Sequence, residues 1–213
     1  MSKQTDDVTR PEDDVEMGFF EHIGELRTHL LRALYGVVPA LFVCWAYKEL
    51  LLDWLFRPLR IAYTQRGYPA QINFLNPVDP FVAYMEVTVI SAIVVASPWI
   101  FYQLWSFIAP GLYRRERLLA IPFVLVSTIF FAGGVAFGYF IVFPPGLATL
   151  LEFATKLPSG FEVSPALTID QYMTFATRML LAFGVVFEVP VVCSFLAFAK
   201  IVNWRQHLSF FRW

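Results

Sequence analysis

Charged side chains are scarce in this sequence of 213 residues: they make up 15% of it, against 58% hydrophobic residues. Soluble domains carry about 25% charged residues, so too few are present to give a globule of this size a polar surface. Cysteine and glycine are also few, at 2 and 11 residues, which excludes a disulfide scaffold and a collagen-like chain. The net charge of -1 gives no support to nucleic-acid binding through bulk basicity. A helical membrane protein is the class that remains.

Long runs without charge locate the membrane-spanning segments. Uncharged residues fill 87–113 and 118–151, and they fill 179–199 with Glu188 as the one exception. A shorter run, 33–47, is flanked by basic residues whose long side chains can reach the membrane surface. We therefore predict an all-α, polytopic membrane helical bundle with four spans, at about 30–52, 80–108, 118–143 and 169–200.

The remaining segments complete the predicted organisation. Residues 1–16 contain six acids and two basic residues, which predicts a disordered acidic cytoplasmic tail and not a signal peptide. Residues 17–213 are predicted to form a single transmembrane domain, with extracytoplasmic loops at about 53–79 and 144–168. In 17–31 the apolar residues recur at helical spacing, which predicts an amphipathic helix on the membrane surface before the first span.

Each predicted span contains a proline, at Pro39, Pro98, Pro122 and Pro190. An interior proline removes a backbone hydrogen bond and bends its helix. Bent helices would give the bundle a concave face. The alternative is that these prolines only reflect the higher frequency of proline in membrane helices.

The distribution of basic residues predicts the orientation of the chain. The short loop after the second span contains Arg114, Arg115 and Arg117, whereas the longer loop after the third contains only Lys156. Cytoplasmic loops carry an excess of lysine and arginine. We therefore expect the second loop and both ends of the chain to lie in the cytoplasm.

Three acidic residues lie at or in the membrane without an obvious structural reason. Glu188 is deep in the fourth span, where a charge costs about 2.5–3.5 kcal/mol, so it is a functional candidate. Glu25 and Glu116 lie on cytoplasmic segments, where a solvated helix face and local balance with neighbouring arginines are the simpler interpretations. The sequence contains none of the common hydrolase, nucleotide or metal motifs, so we predict no catalytic residue, metal or cofactor.

Five strings, in this order, resemble the TatC family: HIGELRTHLLR, FRPL, SPWIFYQLWSFIAPGLYRRERL, FGYFIVFP and LAFGVVFEVPVV. TatC is the signal-peptide receptor of the twin-arginine protein translocase. The resemblance implies a receptor in the bacterial cytoplasmic (inner) membrane that binds twin-arginine signal peptides of folded proteins and nucleates the export complex. It also implies TatB-type and TatA-type single-span subunits, other TatC copies and the lipid membrane as partners, and no nucleic acid.

The resemblance also implies site residues. Glu25 and Arg27 in GELR, Phe107 in WSFIAP and Glu116 in YRRERL would bind the signal peptide, and Glu188 would contact a partner's membrane helix. Arginine presents a planar fork that pairs with a carboxylate through two hydrogen bonds, whereas lysine is a point charge. Two glutamates on two cytoplasmic segments would suit two guanidinium groups.

One departure and one alternative accompany this resemblance. The family has six spans, so this sequence ends where a fifth would approach, as expected of a truncated sequence or of a short relative. The alternative function is a proton- or ion-coupled membrane transporter that uses Glu188. Such a transporter should contain an internal repeat, and the sequence has no second copy of its motifs.

Overall fold

The computed structural model describes residues 19–69, 71–108, 120–155 and 167–198. The described helices, in chain order, are α1 (Phe19–Ala46), α2 (Lys48–Gln65), α3 (Asp79–Ile108), α4 (Ala120–Phe137), a π-helical turn (Gly138–Val142), α5 (Phe143–Thr155) and α6 (Ile169–Phe198). Four stretches of the described chain are long and apolar enough to cross a membrane: Ile23–Ala46, Asp79–Ile108, Ile121–Phe153 and Ile169–Ala197. The predicted all-α bundle with four spans is confirmed.

The spans pack in pairs around α3. Helix α1 lies against α3, α4 lies against α6, and α3 also contacts α4 and α6. Between α1 and α3 the buried side chains are small: Ala40 and Cys44 on α1 meet Ala92 and Ala96 on α3. Small residues let membrane helices approach closely, so that dispersion contacts replace the hydrophobic driving force that lipid does not supply. The interior prolines Pro39, Pro98 and Pro190 lie within α1, α3 and α6.

The first span is shorter than the sequence indicated, and the loop after it is largely helical. Helix α1 ends at Ala46, the chain turns at Tyr47, and residues 48–65 form α2. One face of α2 is buried through Leu55, Pro58, Leu59, Ala62 and Tyr63, and its opposite face is polar. Such an amphipathic helix lies at the edge of a membrane and does not cross it, although its three leucines at 50–52 resemble the continuation of a span.

Two further boundaries differ from expectation. The amphipathic segment 17–31, where it is described, is the first part of α1 and not a separate helix. The prolines at 144 and 145 do not end the third span, because the helix widens into the π-helical turn immediately before them and continues to Thr155. In this π turn the Phe143 amide donates to the Gly138 carbonyl, five residues earlier.

Helix α2 is held to the bundle by two tyrosine hydroxyls. Pro58 has no N–H, so the Trp54 carbonyl four residues earlier loses its helical donor. The Tyr139 hydroxyl donates to that carbonyl at 2.6 Å, and the indole of Trp54 stacks on the Tyr139 ring at 4.6 Å. The Tyr172 hydroxyl donates to the next carbonyl, that of Leu55, also at 2.6 Å. The proline of the FRPL string therefore creates the acceptor through which α2 is attached.

Backbone hydrogen bonds and an ion pair also join the chain segments at this end of the bundle. The Asn73 amide donates to the Leu167 carbonyl at 3.0 Å, and the Ile169 amide donates to the Asn73 carbonyl at 2.8 Å. Arg66, after α2, forms a 2.8 Å ion pair with Glu152 of α5. We call this end, which comprises α2, α5 and the starts of α3 and α6, the α2 end.

We expect Tyr139→Phe to lower the free energy of unfolding by about 1–3 kcal/mol, because the Trp54 carbonyl would lose its donor in a dry environment. Adding Pro58→Ala should recover part of this loss, since the new amide at position 58 can donate to the same carbonyl. Thermal unfolding in detergent measures both. Tyr35→Phe is the control, because Tyr35 is 73% exposed. A double variant no more stable than the sum of the single changes would contradict this role of the Trp54 carbonyl.

Candidate functional site

The contacts between α1 and α3 fix which residues meet at the end of the bundle opposite the α2 end. The Trp99 indole donates to the Arg32 carbonyl at 2.8 Å. One turn further along α3, Gln103 lies opposite His29. The helices are antiparallel, so the beginning of α1 lies beside the last turns of α3.

A buried polar pair joins the two helices there. Nδ1 of His29 lies 3.0 Å from Oε1 of Gln103, and Gln103 is 4% exposed. An amide oxygen only accepts, so with the Gln103 amide in this orientation Nδ1 of His29 is the donor of the bond. The ring of Phe107 lies 6.2 Å from that of His29, centroid to centroid, at an interplanar angle of 58°. His29 and Gln103 were not among the predicted site residues, although positions 99, 103 and 107 recur at the four-residue spacing of a single helix face.

Glu25 completes this group, which we call the α1–α3 site: Glu25, His29, Gln103 and Phe107. Glu25 is half-buried, and its Oε2 is buried without a hydrogen-bond partner among the residues that the structure describes. It lies one turn before His29 and hence toward the end of α3. The last carbonyls of a helix carry a partial negative charge. A carboxylate with an unpaired oxygen near such an end provides a favourable position for a cationic group.

The other predicted site residues are placed differently or are not described. Arg27 is exposed and, two residues after Glu25, is rotated from it by about 200° around α1. The structure thus brings Glu25 and Phe107 to one end of the α1–α3 pair, with Arg27 on another face. Glu116 lies outside the described residues.

Glu188 lies in a second polar group inside the membrane. The indole of Trp105 donates to the hydroxyl oxygen of Ser127 at 3.1 Å, and Ser127 is fully buried. Ser127 and the backbone of Phe131 lie beside the Glu188 carboxyl. Oε1 of Glu188 is nevertheless buried with no hydrogen-bond partner in the described part of the chain. One oxygen of the Glu188 carboxyl therefore lacks a donor within the described chain.

A second carboxylate inside a span was not among the sequence-based candidates. Glu86 is in the third turn of α3, and its Oε1 accepts a 3.0 Å hydrogen bond from the hydroxyl of Thr177 in α6. In the sequence Glu86 only marked the boundary of an uncharged run. Its position inside the predicted span 80–108 was the available signal.

Most of this chain matches a known protein family. The family model described as Sec-independent protein translocase protein (TatC) matches residues 21–213. The chain belongs to the TatC family. The Sec-independent protein translocase protein TatC of Koribacter versatilis is 36% identical over 194 residues, covering 89% of this chain and 69% of the relative. The protein of the same name from Desulforapulum autotrophicum is 38% identical over 185 residues, covering 87% of this chain and 66% of the relative.

A solved structure agrees with these relatives. A crystal structure described as the twin arginine translocase receptor TatC in DDM is 30% identical and has a TM-score of 0.76, covering 89% of this chain and 81% of that chain. This TatC-family chain is therefore a protein translocase component and a multi-pass membrane protein. The comparisons favour this role over the ion-coupled transporter that was the alternative.

The α1–α3 site depends on close packing at Gly36, where a side chain would collide with the Trp99 ring. We expect Gly36→Ala to displace the indole from the Arg32 carbonyl and lower the thermal unfolding temperature in detergent by several degrees, since such overpacking costs about 1–3 kcal/mol. The tryptophan emission should also change. Gly24→Ala is the matched control, because no described residue lies within 4 Å of a Cβ there. Equal effects of the two substitutions would contradict the close approach at Gly36.

Proposed function

We propose that this chain is the receptor of a twin-arginine translocase, binding the signal peptides of folded proteins and nucleating assembly of the export complex. The main support for this proposal is the buried Oε2 of Glu25, which has no hydrogen-bond partner among the described residues and lies beside the end of α3. A guanidinium group that reached the half-buried Glu25 carboxylate would supply the donor that Oε2 lacks and would interact favourably with the helix terminus. The TatC structure that this chain resembles is itself described as a twin arginine translocase receptor.

The second arginine of the peptide would pair with Glu116. Only seven residues separate Glu116 from Ile108, the last residue of α3, a length of chain that would let it reach the same end of the bundle. Phe107 would offer its ring to the aliphatic part or the flat face of a guanidinium. Arg27, a like charge on an exposed face of α1, would contact the signal peptide outside the arginine pair.

The proposed location is the bacterial cytoplasmic (inner) membrane, with the beginning of α1 in the cytoplasm. This orientation is supported by the three arginines of the loop after α3 compared with the single lysine of the loop after α5. It places the α1–α3 site on the side from which a folded protein with an uncleaved signal peptide would arrive.

The proposed partners are TatB-type and TatA-type single-span subunits and further TatC copies. Oε1 of Glu188 is buried and unpaired within the described chain, and a donor on a neighbouring membrane helix would satisfy it. Hydrogen bonds between membrane helices contribute about 0.6–1.7 kcal/mol. Glu188 would therefore strengthen the binding of the partner helix and help to orient it, at an interface that also depends on apolar contacts.

We expect Glu25→Gln to weaken binding of a twin-arginine peptide by about 10- to 100-fold, because a charge-assisted hydrogen bond contributes about 1.5–3 kcal/mol. A twin-lysine peptide should bind the unaltered chain more weakly, since lysine cannot form the bidentate pair. Fluorescence anisotropy of labelled peptides in nanodiscs measures both affinities.

Glu49→Gln is the matched control, because Glu49 is an exposed glutamate in the first turn of α2, at the opposite end of the bundle. It should leave peptide affinity unchanged. If the Glu25 variant bound both peptides as the unaltered chain does, Glu25 would have no part in recognition.

We expect Glu188→Ala to reduce co-purification of a TatB-type or TatA-type subunit by about 3- to 15-fold, the equivalent of one interhelical hydrogen bond. Glu86→Ala should affect stability and leave co-purification near its normal level, since Glu86 already has an internal donor in Thr177. Quantitative affinity capture with a tagged chain measures both variants. An equal reduction in the two would mean that Glu188 acts only through the fold.

A further inference from the structure

Two hollows of different chemistry meet at Trp54 near the α2 end. One has a volume of about 270 Å³ and lies between α2 and the membrane-spanning helices α3, α4 and α6. The other is a shallow, open hollow along the polar face of α2, and its described lining residues all belong to that helix. Trp54 lines both. Because tryptophan favours the boundary between hydrocarbon and headgroups, we place this junction at that level.

The first hollow offers an apolar wall. Its lining is mostly apolar, with aliphatic side chains such as Val94, Ala136 and Leu180. Two of its hydroxyls are already engaged, since Tyr139 donates to the Trp54 carbonyl and Thr177 to Glu86. A cavity of this kind does not bind water well. It suits a hydrocarbon chain.

The second hollow is cationic. Among the residues that the structure describes, it is lined by Arg57 and Arg60 together with a single acid, Asp53. Asp53 forms a 2.7 Å ion pair with Arg60, whereas Arg57 is exposed and forms no ion pair with the described residues. Two guanidinium groups and one carboxylate leave one positive charge at the headgroup level, which complements one phosphodiester.

We infer that the two hollows together bind an anionic phospholipid. Its phosphate lies on Arg57, its glycerol region passes Trp54, and one acyl chain enters the apolar hollow. A guanidinium fork binds phosphate oxygens through two hydrogen bonds, and basic pockets beside membrane-spanning helices select anionic headgroups. The inference holds for either orientation of the chain and is independent of the proposed receptor function, because the α1–α3 site lies at the other end of α3.

A phospholipid fits better than the two other sources of similar chemistry. Free phosphate would use Arg57 and leave the apolar hollow without an occupant. The apolar segment of a peptide would fill that hollow but would bring no anion to Arg57. A single molecule that joins a phosphate to a hydrocarbon chain accounts for both hollows and for the tryptophan between them.

The test purifies the whole chain from nanodiscs that contain equal amounts of phosphatidylglycerol and phosphatidylethanolamine and counts the retained lipids by native mass spectrometry. We expect the unaltered chain to retain phosphatidylglycerol in excess, and Arg57→Ala to reduce that excess about fivefold. Arg66→Ala should leave it unchanged, because Arg66 is exposed at the same end but is paired with Glu152 and lines neither hollow.

A second measurement follows the acyl chain. Phosphatidylglycerol with a photoreactive acyl chain should label Val94 and neighbouring lining residues, and Ala136→Phe, which fills the hollow from an exposed position on α4, should suppress this labelling. Equal retention of the two lipids, or an unchanged excess in Arg57→Ala, would overturn the inference. Labelling elsewhere would do the same, as would removal of the lipid by inorganic phosphate or by a twin-arginine peptide.

Discussion

The carbonyl oxygen of Trp54 is the group on which the α2 end depends. Pro58 deprives it of its helical donor, and an unpaired carbonyl in apolar surroundings costs several kcal/mol. Tyr139 supplies the donor from the π-helical turn after α4. That bond fixes the rotation of α2, so that its apolar face meets the bundle and Arg57 faces outward. The stacked rings of Trp54 and Tyr139 then form the upper wall of the apolar hollow.

A related constraint produces the α1–α3 site. Lipid gives these helices no hydrophobic reason to associate, so they adhere through close packing of small residues and through polar groups that reach across. Gly36 accepts the Trp99 ring, and the resulting register brings His29 to Gln103. Once these two are bonded to each other, Oε2 of Glu25 has no donor left among the described residues. The unpaired Oε2 of Glu25 is thus a consequence of how α1 and α3 pack.

The number of spans could be predicted from the sequence because a charge in hydrocarbon is costly, so uncharged runs mark the membrane reliably. Helix α2 could not be predicted in the same way, since hydropathy does not distinguish an apolar face at the membrane edge from the end of a span. The prediction that Glu25 and Phe107 belong to one site came from the resemblance to the TatC family. The contact of His29 with Gln103 depends on the register of two helices, which a separation of 74 positions in the sequence does not reveal.

The two carboxylates inside the spans show why position alone does not assign a role. Each is the one acid beyond the first turn of an apolar helix, and depth within the span, which favours Glu188, does not reveal whether an internal donor is present. Thr177, 91 residues from Glu86, donates to it and makes it part of the fold. Glu188 has Ser127 beside it, yet its Oε1 remains buried and unpaired within the described chain. A carboxylate satisfied within its own chain stabilises that chain, whereas one left open in hydrocarbon favours the arrival of a donor from another.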